Sequence, residues 1–324
     1  MKKNVLVTGA AGYIGKLTIE RLKQIKDVQG PIGNIVSMDI KDFPKEERQD
    51  GIEYLQQDIR APVITDYLTS YSIDTVIHLA SIVTPGKKSN REFEYSVDVL
   101  GTENILKACI AASVKRIIVT SSGAAYGYHK DNPVWLTEED AIRGNEDFSY
   151  SYHKRLVEEM LGEYREKYPL LEQVVFRVGT ILGETVNNQI TALFHKRRLI
   201  KVRNSNSPFV FIWDRDVVEA LIMAIHSNNT GIFNLAGGGT MTIDEIADNL
   251  GKKTVSFPPW VIKSLLFILK KTGLTGYGPE QVDFLRYRPV LSNEKLIKQF
   301  GYTPQKTTQE VFHFYKNSRH LSDS

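Results

Sequence analysis

The hydrophobic residues of this chain lie in short, nearly continuous runs that alternate with stretches of helical periodicity. The apolar runs predict buried strands at residues 5–8, 34–39, 52–55, 74–80, 116–121 and 173–178. Between them, Ile14, Leu17, Ile19 and Leu22 recur near the helical period, and a longer pattern predicts a helix over about residues 91–112. Apolar strands that alternate with helices indicate a parallel sheet covered on both faces, in a doubly wound α/β fold.

The pattern loosens after residue 178. The elements predicted there are a helix over about residues 189–199, a strand over 209–213, a helix over 217–225 capped by Asp214 or Asp216, a strand over 231–235 and mainly helical chain from residue 240 onward. We therefore predict two domains. The first is built on the sheet and comprises residues 1–182 plus about 212–236. The second is a smaller, mostly helical substrate-binding domain or lid that comprises about 183–211 plus 237–324.

Composition and charge exclude several classes of protein. The 324 residues are 42% hydrophobic, and the formal charge of +3 is spread along the chain with no basic block beyond residues 195–198, so nucleic acid is not a favoured partner. The single Cys109 argues against disulfides and fits a reducing, cytoplasmic location. The chain leads directly into a strand without a signal peptide, and no apolar run reaches the roughly 18 residues that cross a bilayer. We expect neither stable membrane insertion nor a metal site.

Three glycines follow the first strand at the spacing Gly-x-x-Gly-x-x-Gly. Gly9, Gly12 and Gly15 lie between a strand and a helix, where backbone N–H groups at the positive end of the helix can bind a pyrophosphate. Ordinary turns can show the same spacing, but here the second strand ends in Asp39. A carboxylate at that place can accept hydrogen bonds from the adenosine ribose and would repel a 2′-phosphate. The two features predict a Rossmann-type site that favours NAD over NADP.

The carboxyl ends of the predicted strands define where a ligand should bind. In doubly wound sheets the ligand lies in the crevice beyond those ends. We therefore expect the glycine turn, Asp39, Asp58 and residues 80–84 and 121–127 to converge on one crevice.

A tyrosine and a lysine lie four residues apart at the start of a predicted helix. Tyr150 and Lys154 share a helix face at this spacing. A phenol with its ordinary pKa of about 10 is a poor base at neutral pH, but a neighbouring ammonium and a nicotinamide cation favour the phenolate. The same spacing at residues 126–130 and 302–306 lies in a glycine-rich loop and across a proline, so neither offers helical geometry. Ser122, after the fifth strand, can hydrogen-bond a substrate oxygen. The alternatives are an exposed Tyr–Lys pair and a serine-rich turn.

The motifs occur in a characteristic order along the chain. They are Thr8-Gly9-x-x-Gly12-x-x-Gly15, Asp58-Ile59-Arg60, His78-Leu79-Ala80, Gly101-Thr102, Ser122-x-x-x-Tyr126-Gly127 and Tyr150-x-x-x-Lys154. As a set they resemble the extended short-chain dehydrogenases/reductases, the NAD-dependent epimerase/dehydratase family whose members include UDP-glucose 4-epimerases. The resemblance covers about residues 3–250, and the rest more loosely.

This resemblance implies a role for each matching residue. The implied cofactor-binding residues are Gly9, Gly12, Tyr13, Ile14, Gly15, Asp39, Asp58, Ile59, Leu79, Ala80, Tyr150 and Lys154. Ser122, Tyr150 and Lys154 would be catalytic, and NAD would be the cofactor. The helices at about residues 91–112 and 150–167 would form the surface of a homodimer.

Several positions depart from the family pattern. Asp98 stands where an Asn is frequent, and a carboxylate near a pyrophosphate would be repulsive unless it were paired, protonated or turned to solvent. Thr180, Phe209 and Trp213 stand where nucleotide-sugar members often have Asn, Arg and His, although Arg203 could reach in from elsewhere. The sequence therefore supports the redox machinery better than it supports a nucleotide-sugar substrate.

Residues 257–272 form the most apolar late segment. Its spacing predicts a helix, which we interpret as core or lid packing. The alternative is a helix that lies in a membrane interface, since lysines interrupt the apolar run. A lid of this composition would suit a fairly apolar substrate pocket.

The expected function is NAD-dependent oxidoreduction at a secondary alcohol or ketone. If the ketone stays bound and takes the hydride back, the net reaction is epimerisation of a nucleotide sugar. If it leaves, the enzyme is a dehydrogenase or reductase of a less polar substrate. Dehydration is less expected, because Gly123 and Ala124, rather than an acid, follow the serine. The alternative is a catalytically inactive NAD-binding scaffold or redox sensor.

Overall fold

Parallel strands form the centre of the molecule. The computed structural model describes residues 2–83, 90–205, 207–273, 278–279 and 281–319. The strands are β1 (Lys3–Thr8), β2 (Ile32–Asp39), β3 (Ile52–Gln56), β4 (Thr75–His78), β5 (Arg116–Ser122), β6 (Glu172–Val178), β7 (Thr180–Leu182), β8 (Arg198–Val202), β9 (Phe211–Trp213), β10 (Gly231–Leu235) and β11 (Lys253–Phe257).

The helices cover both faces of the central sheet and build the rest of the chain. They are α1 (Tyr13–Asp27), α2 (Ile64–Ser70), α3 (Arg91–Tyr95), α4 (Gly101–Ala111), α5 (Ser149–Lys167), α6 (Gln189–Phe194), α7 (Asp214–His226), α8 (Ile243–Asn249), α9 (Pro259–Lys271), α10 (Gln281–Arg286) and α11 (Thr308–Ser318). Short 3-10 turns at Lys45–Glu47 and Gly123–Tyr126 and π-helical turns at Ser96–Leu100 and Leu296–Phe300 complete the secondary structure.

The central sheet has seven strands in the order β10-β6-β5-β4-β1-β2-β3, and its strands pair in parallel. Val5, Leu6 and Val7 of β1 have no exposed surface, as expected of a strand with a packed layer on each side. The predicted doubly wound α/β (Rossmann) fold is confirmed. The direction of winding reverses between β1 and β4, and in such sheets the ligand crevice lies at that point.

A smaller set of elements packs beside the carboxyl end of this sheet. Two parallel two-stranded sheets, β7 with β9 and β8 with β11, lie here together with α6 and the helices from α8 onward. Their core is aromatic and includes Phe194, Phe209, Phe211, Phe312 and Tyr315. We propose that these elements form the predicted second domain, and that β10, as part of the central sheet, belongs to the first.

Four predicted elements differ in the structure. The helix expected over residues 91–112 consists of α3, a π-helical turn and α4. The helix expected over 189–199 ends at Phe194, and β8 follows, because its apolar residues pair with the distant β11. The strand expected over 209–213 is limited to β9 and pairs with β7 outside the central sheet. Helix α7 begins at Asp214 itself, after Trp213, and no side chain caps it. A periodic pattern reports local preference and carries no information about a distant partner.

The apolar segment at residues 257–272 lies on the outside of the molecule. It comprises the end of β11 and helix α9, of which only Ile262 is buried. Trp260, Leu265, Phe267 and Ile268 are 54–69% exposed, so the interpretation as core is wrong for this face of the helix. Helical spacing identifies an apolar face but does not show what covers it. Within the described ranges, no helix is long and apolar enough to cross a membrane.

Candidate active site

A cavity of about 650 Å³ lies at the carboxyl ends of the central strands. Nine of the predicted site residues line it: Gly9, Gly12, Tyr13, Ile14, Gly15, Leu79, Ser122, Tyr150 and Lys154. Thr180 and Phe209 also line it, whereas Asp39, Asp58, Ile59 and Ala80 lie outside its lining. The cavity therefore joins the glycine turn to the Tyr–Lys helix, as the strand order requires.

The glycine turn has no room for side chains. Gly9 has a φ of +69°, and a Cβ there would lie 2.7 Å from the backbone nitrogen of Ala80. A Cβ on Gly15 would lie 2.3 Å from the carbonyl oxygen of Gly9. The Gly12 N–H donates to that same carbonyl at 3.0 Å. The turn thus brings bare backbone to the N-terminus of α1, and this fits a pyrophosphate.

Asp39 lies directly beside this turn. One carboxylate oxygen accepts the N–H of Ala11 at 3.0 Å, and the other accepts the N–H of Lys41 at 2.9 Å. The carboxylate is thereby fixed at the end of β2, where it could meet a ribose. Asp58 instead forms a salt bridge with Arg60, which holds the pKa of that carboxyl below its usual range. Ile59 is buried in the core, and its role in cofactor binding stays a prediction.

The three candidate catalytic side chains converge on the cavity from β5 and α5. Lys154 Nζ donates to the carbonyl oxygen of Thr120 at 3.1 Å and lies 5.7 Å from the centroid of the Tyr150 ring. Ser122 ends β5, and its Oγ accepts the N–H of Ala124 at 3.1 Å. Tyr150 is half-buried, with its ring against the cavity. The arrangement presents a phenol, an ammonium and a hydroxyl to one space.

A buried ionic network fixes α5 against the sheet. One turn beyond Lys154, the Glu158 carboxylate accepts hydrogen bonds from the Arg177 guanidinium at 2.8 and 2.7 Å and from the Ser121 hydroxyl. Arg177 also donates to the Tyr126 hydroxyl at 2.7 Å. Tyr126 is fully buried, and this burial raises its pKa, so it is not available as a base. This finding supports Tyr150, rather than Tyr126, as the candidate base.

Asp98 is buried and paired. Its carboxylate accepts the Ser81 hydroxyl at 3.0 Å and the Ile82 N–H at 2.8 Å, and it lies 3.3 Å from Nδ1 of His153. The solvent-facing alternative is wrong, because only 3% of the residue is exposed. The π-helical turn at Ser96–Leu100 places Asp98 between the loop after β4 and His153 of α5.

His78 behind the glycine turn is a structural residue. Its ring nitrogens contact the hydroxyls of Thr8 at 2.7 Å and Thr102 at 3.0 Å. Burial lowers the pKa of His78 to about 3, with a further contribution from the nearby Lys154. The imidazole is therefore neutral at pH 7, and it ties β1, β4 and α4 together.

Part of the cavity lining consists of residues that the motifs do not identify. We call Tyr128, Phe148, Phe209, Phe284 and Arg288 the aromatic wall. The rings of Tyr128 and Phe284 lie 5.0 Å apart, and Phe148 lies 6.3 Å from Tyr150. Of these residues the sequence singled out only Phe209. No local pattern marks the others, because they come from separate loops and helices.

Arg288 places a positive charge in the cavity that no sequence motif indicates. Its guanidinium lies 3.8 Å from the centroid of the Phe209 ring, and Nη1 donates to the carbonyl oxygen of Ser207 at 2.9 Å. Burial lowers the pKa of Arg288 to about 10, so it stays protonated at pH 7. Arg203 is exposed and is not among the lining residues, and Trp213 packs against Phe314 instead.

A sequence model of the NAD-dependent epimerase/dehydratase family matches residues 5–236. The chain belongs to this family. The match begins in β1 and ends just after β10, so it covers the central sheet except for the first two residues of β1. The family is NAD-dependent, NAD is the cofactor, and the glycine turn with Asp39 offers it a fitting site.

Individual relatives agree with this family assignment. The UDP-glucose 4-epimerase of Mycolicibacterium smegmatis is 31% identical over 169 residues, which are 51% of this chain and 52% of that protein. The crystal structure of a UDP-glucose 4-epimerase from Thermotoga maritima with UDP-glucose has a TM-score of 0.73 at 18% identity, covering 99% and 100% of the two chains. The epimerase/dehydratase fold is equally clear in the Thermus thermophilus UDP-glucose 4-epimerase with NAD, with a TM-score of 0.71 at 23% identity over 99% of both chains.

Proposed function

We propose that this protein catalyses NAD-dependent hydride transfer at a secondary alcohol or ketone of a nucleotide-sugar substrate. The observation that carries the proposal is the convergence of Ser122, Tyr150 and Lys154 on the cavity that the glycine turn also lines. A scaffold without chemistry has no physical need for a phenol, an ammonium and a hydroxyl in one space. We therefore favour an enzyme over the scaffold alternative.

Each of the three side chains has a defined task in this proposal. Tyr150 accepts the proton of the substrate hydroxyl, and the Lys154 ammonium stabilises the phenolate that this requires. The Thr120 carbonyl holds Lys154 in position, and Ser122 orients the substrate oxygen. Bound NAD would supply the hydride acceptor. A ketone that is retained and reduced on its other face would give epimerisation, and a ketone that is released would give dehydrogenation.

The charges around the cavity support an anionic substrate. Among its described lining residues, Lys154 and Arg288 are the cations and there is no carboxylate. Arg288 uses one hydrogen bond internally, and its Nε has no partner in the described part of the chain, so donors remain for a diphosphate. The aromatic wall offers faces for a planar base. These features, and the likeness to the Thermotoga maritima enzyme with UDP-glucose, support a nucleotide sugar.

The Tyr150→Phe variant tests this proposal. It should lower the rate of product formation from UDP-glucose or a related nucleotide sugar at least about 100-fold, because general base catalysis contributes about 10²–10⁴-fold. Affinity for NAD should fall far less than this rate, because phenylalanine keeps the ring and removes only the hydroxyl. Turnover is measured by chromatography of the product. Hydride transfer is measured by the absorbance of reduced nicotinamide after the NAD-loaded protein is mixed with substrate.

Tyr152→Phe is the matched control, since Tyr152 lies on the same helix outside the cavity, against Arg91 and Arg155. It should retain full activity. Equal activity of the Tyr150→Phe and wild-type proteins would refute the catalytic assignment. Turnover of simple alcohols but not of any nucleotide sugar would refute the substrate class alone.

We also propose a homodimer formed through α3, α4 and α5. Three apolar side chains in this region are 37–46% exposed, namely Phe93 and Tyr95 of α3 and Leu100 of the π-helical turn after it. An interface would cover them. Sedimentation velocity should give the mass of two chains, and Phe93→Asp should shift it to one.

A further inference from the structure

Helix α9 presents an apolar side to solvent. Trp260, Phe267 and Ile268 fall on one side by helical spacing, together with Ser264 and Lys271. On that side Trp260 is 69%, Phe267 58% and Ile268 57% exposed. The opposite side of the helix is already packed, since it carries Ile262 and Leu266, which form a small core with Val202 and Val282. The exposed apolar side is therefore not needed to hold the helix in place.

The chain segments that contain and adjoin this helix are strongly basic. Residues 196–203 and 252–271 together contain ten Lys and Arg and no Asp or Glu. The two segments are neighbours, because β8 pairs with β11 and Arg198 lies opposite Lys253. Lys201 forms a salt bridge with Asp244 of α8, and Lys263 forms one with Asp283 of α10. The region thus combines bulky apolar side chains with a clear excess of positive charge.

We propose that the outer side of α9, with the adjoining ends of β8 and β11, docks on an anionic lipid membrane. The apolar side chains would enter the interface while the lysines and arginines meet lipid phosphates. A helix of 13 residues is about 20 Å long, too short to cross a hydrocarbon core of about 30 Å, so it would lie in the membrane plane. Trp260 at its start suits the interface between water and lipid.

The charge pattern favours a lipid surface over a second copy of the chain. Two copies placed with these faces together would bring like charges into contact, and such contacts are unfavourable. The docked face and the cavity belong to the same part of the molecule, because α9 packs on α10, which contributes Phe284 to the aromatic wall. Docking would therefore place the cavity close to the membrane.

Vesicle flotation of the full-length protein tests the proposal. The vesicles are phosphatidylcholine alone or phosphatidylcholine with about one-third phosphatidylglycerol. We expect binding to the anionic vesicles that is about tenfold stronger than to the neutral ones and that weakens as salt is raised. Absence of binding to anionic vesicles at low salt would overturn the proposal.

A pair of double variants separates this face from general surface hydrophobicity. Phe267→Ser/Ile268→Ser should lower binding to anionic vesicles about tenfold. Val134→Ser/Leu170→Ser should not change it, although these two residues are 81% and 88% exposed elsewhere. Both variants should retain NAD affinity, since none of the four residues lines the cavity. An equal loss of vesicle binding in both variants would overturn the proposal. So would a wild-type protein that binds no vesicles but forms a dimer that only the first double variant dissociates.

Discussion

The two walls of the cavity are built in different ways. The cofactor wall, formed by the turn at residues 9–15 with Ser122, Tyr150 and Lys154, is held by backbone geometry and by a buried network behind it. The aromatic wall is held by ring contacts between residues from separate loops and helices, with Arg288 stacked on Phe209. A larger residue at Gly9 or Gly15 of the cofactor wall would clash with backbone atoms. Each aromatic residue of the aromatic wall, and Arg288, could be replaced separately.

This difference assigns different tasks to the two walls. A wall with no spare volume fixes the reacting atoms and the shared cofactor. A wall of interchangeable side chains can adapt to a particular substrate. Substitutions in the cofactor wall should therefore abolish binding of NAD or turnover altogether, while those in the aromatic wall should change substrate affinity.

The largest effect is expected for Gly15→Ala. The new Cβ would lie 2.3 Å from the Gly9 carbonyl oxygen and 2.6 Å from Cα of Ala10, both backbone atoms that cannot yield cheaply. We expect the free energy of unfolding to fall by about 3 kcal/mol or more, and NAD binding to be lost. Urea denaturation and calorimetric titration with NAD measure the two effects.

Gly162→Ala provides the matched control for this substitution. Gly162 lies within α5, and a Cβ added there would meet no atom of another part of the described chain within 4 Å, so the helix should gain about 0.5–1 kcal/mol in stability. NAD affinity should be unchanged. Normal NAD affinity in the Gly15→Ala protein would show that the turn is not as rigid as its contacts indicate.

A somewhat smaller effect is expected for Asp98→Ala, behind the cofactor wall. The substitution would leave the Ser81 hydroxyl, the Ile82 N–H and His153 without their acceptor. Buried groups that lose a partner cost about 1–3 kcal/mol, so we expect a loss of about 2 kcal/mol in the free energy of unfolding. Asp98→Asn retains an acceptor and should lose less than half as much. Equal losses in the two variants, measured by urea denaturation, would contradict this account of the pair.

The same difference explains what the sequence could predict. The cofactor wall was accessible because a strand, a glycine turn and a helix follow one another, and because Tyr150 and Lys154 lie one helical turn apart. The pairing of Asp98 with His153 was not accessible, since it depends on how the π-helical turn faces α5. Arg288 could not be identified from the sequence, because its stacking on Phe209 joins two residues that are far apart along the chain and form no recognisable motif. The same limit applies to α9, whose apolar pattern was visible but whose exposure was not.

The smallest of these effects is expected for Arg288→Met in the aromatic wall. Methionine retains the apolar contact with Phe209 and removes the charge that we assign to the substrate diphosphate. A hydrogen bond to a charged group contributes about 1.5–3 kcal/mol, which corresponds to a roughly 10- to 100-fold rise in KM for a nucleotide sugar. NAD affinity and the free energy of unfolding should change little. Steady-state kinetics with titrated substrate measures the rise.

Arg286→Met is the control for Arg288→Met, because Arg286 carries the same charge two residues away and pairs with Asp283 outside the cavity. It should leave KM within about twofold. If the two variants raised KM equally, general attraction by the basic surface, rather than a contact in the aromatic wall, would account for substrate affinity. If Arg288→Met lowered NAD affinity as strongly as Gly15→Ala, the division of tasks between the two walls would be wrong.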